Sequence, residues 1–177
     1  MKRKKFLKSL LVLLGLIMIA VAIFLFNYDF PKRIDVERTA VVFKLTDPDS
    51  AKKTSIKIAE TLYKPLFKQH KFIGNFIIDD YDFTKEQEFT FYITDRKKEI
   101  NMSALFYLEA SPPHDIENNS LIWFDDQFEN INIWPSKDWI EQDSTYIATG
   151  NSYEQAIEVQ NMMRDKFGES FVPHAVK

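Results

Sequence analysis

The chain has 177 residues, 28% of them charged, a formal net charge of −3, no cysteine and four glycines. The missing cysteine excludes a disulfide framework, a thiolate metal site, a cysteine nucleophile and a lipidated cysteine anchor. Gly15, Gly74, Gly150 and Gly168 are too scattered to make a phosphate-cradling loop, a dinucleotide fingerprint or a GxSxG elbow.

In chain order, residues 1–8 form a basic tail with Lys2, Arg3, Lys4, Lys5 and Lys8 and no acid. Residues 9–28 carry no charge and are almost wholly apolar from Leu10 to Phe26, a run whose helical rise of about 30 Å matches one hydrocarbon thickness. The pattern predicts one N-terminal transmembrane helix with its basic flank in the cytoplasm and the remainder outside. Lys32, Arg33, Arg38 and Lys44 beyond the far end oppose that orientation at lower density. Two fates of the segment stay open: an uncleaved signal anchor, or a signal peptide cut after Ala20-Val21-Ala22 to release a secreted binding module. The apolar run continues past that site, which favours the anchor.

Residues 29–38 read as a juxtamembrane arm, and residues 39–177 as one extracytoplasmic domain of ordinary size, undivided by any linker or repeat. Everything beyond Tyr28 carries a charge of about −8, which argues against a nucleic-acid partner. The excess acid lies in residues 101–177. Runs rich in β-branched and aromatic residues predict strands at Thr39–Leu45, Ser55–Glu60, Phe72–Asp79, Glu88–Thr94, Ala104–Glu109, Leu121–Phe124, Ile131–Trp134 and Thr145–Thr149. Asp95 to Glu99 reads as a charged hairpin connection and Pro112 to Ser120 as a polar loop. Ser50 to Tyr63 fits a helix as well as a strand by periodicity. Tyr153 to Phe167 is the clearest helix, with Ser152 and Gln155 as a capping box, Ala156, Val159, Met163 and Phe167 on one face and Gly168 at its end. The expected fold is α+β: a β-rich antiparallel sheet domain with a C-terminal helix.

Leu66-Phe67, Phe72-x-Gly74 and Ile77-Ile78-Asp79, preceded by the alternating Ser55-Ile56-Lys57-Ile58, resemble a segment of small uncharacterised membrane-anchored or exported proteins of Bacillota, most closely over Thr54 to Asp79. The resemblance implies a strand at Ser55 to Glu60 and an extracytoplasmic location at a bacterial cell envelope, and brings no activity. The chain departs from that pattern at Ala59-Glu60.

Among chemistry-bearing residues, an EF-hand frame starting at Asp80 fails at Lys85, where glycine is required, and at Phe91, where a bidentate glutamate is required. His70, His114 and His174 lack metal-ligand spacing. An envelope hydrolase would need two carboxylates flanking one cleft, and Glu109 with Asp125 or Asp126 near strand ends is one of the pairings that so many acids allow. Asn101-Met102-Ser103 and Asn118-Asn119-Ser120 match the glycosylation sequon by chance frequency alone. No catalytic residue, metal site or cofactor is assigned. Trp134 and Trp139, beside Pro135 to Asp138, form the expected binding patch, since flat aromatic rings stack on sugars or anchor a protein partner. The expected function is therefore a non-catalytic binding or accessory domain, held at the membrane and directed to an envelope protein or glycan.

Overall fold

The computed structural model describes residues 2–85, 89–108, 116–135 and 145–171. Helix α1 (Lys2–Asn27) contains the apolar stretch Phe6–Asn27, which is long and apolar enough to cross a bilayer and is nowhere buried against the rest of the chain. Tyr28 to Phe30 follow, with Phe30 at φ 42°, so the chain turns sharply out of the helix. The expected arm is therefore mostly sheet: strand β1 (Pro31–Lys44) begins at once and pairs along its length with β2 (Asp47–Tyr63).

Strands β3 (Lys71–Ile78) and β4 (Phe89–Tyr92) continue the meander on one side. On the other side run β5 (Asp95–Lys97), β6 (Ile100–Leu108), β7 (Ile116–Asp125), β8 (Ile131–Pro135) and β9 (Thr145–Thr149). Among the described residues there is one nine-stranded sheet, of order β4-β3-β2-β1-β9-β8-β7-β6-β5, with every pairing antiparallel. With helix α2 (Tyr153–Phe167) laid on it, the domain is α+β.

The sheet curls until its two ends meet. Ser103 Oγ on β6 donates to Tyr92 O on β4 at 2.7 Å, and Thr94 N donates to Met102 O at 2.8 Å. Strand alternation accounts for the interior, because every second residue faces inward. Ile34 and Ala40 of β1, Ile56, Ile58 and Leu62 of β2, Phe72, Phe76 and Ile78 of β3, and Ile122, Phe124, Ile131, Ile133 and Ile147 from the far strands form one buried cluster. At its centre the Phe72 ring lies 4.7 Å from Phe91, 5.2 Å from Phe124 and 5.1 Å from Phe128, which joins opposite walls.

Helix α2 covers the outer face of β7, β8 and β9, which explains why all five residues of β9 are buried. Trp123 and Phe124 point to opposite faces of β7 and both are buried, Phe124 inside the curl and Trp123 beneath the helix, 4.6 Å from Phe171. Ser152 caps α2 by accepting from Gln155 N, while Gln155 Oε1 accepts from Asn151 N at 2.8 Å, one residue before the cap itself. Gly168, at φ 82°, ends the helix and donates its N–H to Arg164 O.

Candidate functional site

Among the described residues, three places collect chemistry-bearing side chains. The first is the end of the curled sheet nearest α1, where the β2–β3 loop, the β4–β5 link and the β7–β8 turn meet. Asp126 sits at its centre: its Oδ2 accepts from Lys64 Nζ at 3.0 Å and from Arg96 at 3.1 Å, and its Oδ1 accepts from Asn101 Nδ2 at 2.9 Å. Burial works to raise the Asp126 pKa, but the Asn101 and Lys64 hydrogen bonds and the charges of Lys64 and Arg96 outweigh it, and the carboxyl is held below its usual range. Burial, together with Lys64 and Arg96, lowers the pKa of nearby His70, against the pull of Asp126.

The turn beside it is organised by Asp125. Its carboxylate accepts from the backbone N–H groups of Gln127, Glu129 and Asn130, all at 3.0 Å, and from the Asn130 side chain at 2.8 Å. This scaffold holds Phe128 at φ 53° with its ring stacked 4.6 Å from Phe124. Arg38 Nε secures the turn by donating to Phe128 O at 2.9 Å. Both carboxylates singled out as hydrolase candidates are thus engaged in holding loops, and Glu109 lies outside the described residues.

Next to this polar node the β2–β3 loop is bound to the end of α1. Lys64 N donates to Asp29 O at 2.7 Å, the Phe67 ring stacks on Phe26 at 5.8 Å, and Lys68 lies over the Phe26 ring at 5.7 Å. Leu66 is nevertheless 57% exposed and Phe67 65% exposed.

The second place is a groove of about 470 Å³ where β9 ends and α2 begins, lined by Arg38, Glu129, Asn130, Glu158 and Met162 among others. The third is the interior of the curl, where Glu60 lies in the apolar row of β2 between Ile58 and Leu62. It faces Ile34 on β1 and Gly74 on β3, is 3% exposed, and among the described residues neither carboxylate oxygen has a hydrogen-bond partner. Burial pushes its pKa up to about 8, so the group is neutral at pH 7. Gly74 makes the room: a Cβ there would stand 2.8 Å from Glu60 Cα and 3.1 Å from Glu60 Cγ, at a φ of 151°.

Glu60 was not among the residues singled out from sequence, although the alternation Ile56, Ile58, Glu60, Leu62 places an acid in a core row and is the signal that marks it. Of the expected aromatic patch, Trp134 is half-buried between β8 and α2, packed against the clusters around Phe43 and around Met163, with part of its ring open. Trp139 lies outside the described residues, as do His114 and His174. Asn101, in the first sequon, is fully buried and bound to Asp126. Among the described residues no three His, Asp or Glu side chains are grouped to hold a metal ion. No family model, characterised protein or solved structure matches the chain.

Proposed function

We propose that the protein is a single-pass, membrane-anchored component of the bacterial cell envelope whose α+β domain lies outside the cytoplasm and acts by binding, not by catalysis. The observation that carries this reading is α1 itself: its 22-residue apolar stretch is left unburied by the described residues, touched only at its end where Phe67 and Lys68 meet Phe26, and is followed within three residues by β1. An unburied apolar surface of that size is stable only in lipid. The basic tail at residues 2–8 then sits in the cytoplasm.

So short a joint leaves little independent reach, and partners are membrane-proximal proteins or glycans. Trp134 and Trp139 remain the residues proposed to meet them, together with the adjoining surface of α2.

Protease added to intact cells tests the topology: the reading expects loss of the domain while a cytoplasmic marker survives. A domain resistant in intact cells and lost after lysis refutes it. Crosslinking in intact cells followed by purification of the full chain should then retrieve an envelope component, and recovery of the chain alone would refute the accessory role.

A further inference from the structure

The β2–β3 loop lies against the end of α1, yet its two large apolar side chains, Leu66 and Phe67, face solvent. Leu66 and Phe67 project beside Phe26, the last aromatic residue of the apolar stretch, and Tyr28 and Phe30 extend the same aromatic collar, with Phe24–Tyr28 at 5.0 Å and Tyr28–Phe30 at 4.8 Å. Such collars sit at the boundary between acyl chains and headgroups. Residues 63–71 contain Lys64, Lys68 and Lys71, one histidine and no acid, in a domain that is acidic as a whole. Lys64 is taken up by Asp126, whereas among the described residues Lys68 and Lys71 make only ring contacts, with Phe26 and Tyr63.

We propose that this loop is a second membrane contact: Leu66 and Phe67 enter the interfacial layer of the outer leaflet, and Lys68 and Lys71 meet anionic lipid headgroups. Apolar area supplies attraction independent of lipid type, and each lysine near a negatively charged surface adds about 1 kcal/mol, or roughly fivefold in the docked-to-free ratio. The proposal rests on α1 spanning the bilayer. Helix and loop together fix the domain at two points, so that the Asp126 node faces the membrane and the turn between β1 and β2 points away from it.

The cysteine-free chain allows a direct test with the full protein reconstituted in vesicles. Single variants Leu66→Cys, Ile17→Cys and Asp49→Cys carry an environment-sensitive fluorophore, and spin-labelled lipids serve as quenchers. In vesicles containing phosphatidylglycerol, the label at 66 should be quenched by a headgroup-level quencher, the label at 17 by a deep quencher, and the label at 49 by neither. Adding Lys68→Ser and Lys71→Ser, or replacing phosphatidylglycerol by phosphatidylcholine, should lower the docked-to-free ratio at 66 roughly tenfold or more.

A label at 66 as water-exposed as that at 49, with 17 still quenched, overturns the loop contact and leaves the anchor standing. An unquenched label at 17 overturns the anchor and the loop contact with it. Shielding at 66 in native membranes but not in pure lipid would assign the loop to a protein partner and overturn the lipid contact.

Discussion

Replacing Glu60 by glutamine isolates the energetic effect of one buried acid. In the unfolded chain the carboxyl titrates near its ordinary value of 4.5, and in the folded domain near about 8. Below 4.5 it is protonated in both states and the fold has its full stability. Between 4.5 and 8 the unfolded chain has released a proton that the folded one retains, so stability falls as pH rises, by about 1.4 kcal/mol per unit. The loss accumulates to about 5 kcal/mol at pH 8, a third or more of the margin of a typical domain, and then levels off.

Glu60→Gln keeps the shape and cannot ionise. Urea unfolding of the full chain in detergent, followed by tryptophan fluorescence, should find the two proteins within about 1 kcal/mol of each other at pH 4.5 and the variant more stable by about 3–5 kcal/mol at pH 8. His70, whose pKa is lowered, contributes a slope of the opposite sign to both proteins and cancels in the difference. Parallel stability-against-pH curves for the two proteins would show that Glu60 is ionised or solvated in the fold and would refute the reasoning.

Gly74→Ala should destabilise the domain by roughly 2–4 kcal/mol in the same assay, since the added methyl meets the Ala59 carbonyl and Glu60 at a φ of 151°; an unchanged midpoint would show that β2 and β3 can separate at no cost. Asp126→Asn should leave Lys64 and Arg96 facing each other without their shared carboxylate, costing about 1 kcal/mol after solvent screening at neutral pH. Because the Asp126 pKa is lowered, that contribution is present above its ordinary value of 3.8 and fades as pH falls below it, so the two chains should converge in acid; a gap that widens there contradicts the assignment. Trp134→Ala should reduce stability by roughly 2–4 kcal/mol through lost packing under α2, and, if the exposed part of the ring binds a partner, should also weaken crosslinking in intact cells. Unchanged crosslinking by correctly folded Trp134→Ala and Trp139→Ala proteins would remove both residues from the binding surface.

The parts of the fold legible in the sequence are those set by local chemistry. Helix α2 has the limits expected from its cap, its apolar face and Gly168. Strands β8 and β9 fall where their β-branched and aromatic runs place them, to within a residue. The long hairpin β1–β2 was only half legible, because Asp35, Glu37 and Lys57 line its solvent face and mask the alternation of Ile34, Val36 and Ile58. The same pairing decides Ser50 to Tyr63 for strand, a choice periodicity left open.

Strand β5 hides in a charged run read as a connection. It pairs with β6 through the two-residue turn Lys98-Glu99, where both residues have positive φ although neither is the glycine or asparagine that marks such turns. The closing of the sheet depends on β1 meeting β9, a contact between distant segments that no local pattern encodes, and on β4 meeting β6 across the short β5 hairpin. For the same reason the Asp126 node was legible only as three scattered charged residues and a sequon.

The pairing of β1 with β9 sets the order in which the domain can be completed. All other strand pairs join neighbours in sequence, so hairpins can form as the polypeptide emerges from N- to C-terminus. One edge of β1, however, waits for β9, the last strand among the described residues. Until β9 arrives, Ala40 to Lys44 present unpaired backbone beside Val41 and Phe43, the combination that invites annealing to a stranger. Under the proposed anchoring through α1, a nascent copy is confined during that interval to a crowded two-dimensional surface, and a chaperone that shields this edge would do more for yield than one that assists any of the hairpins.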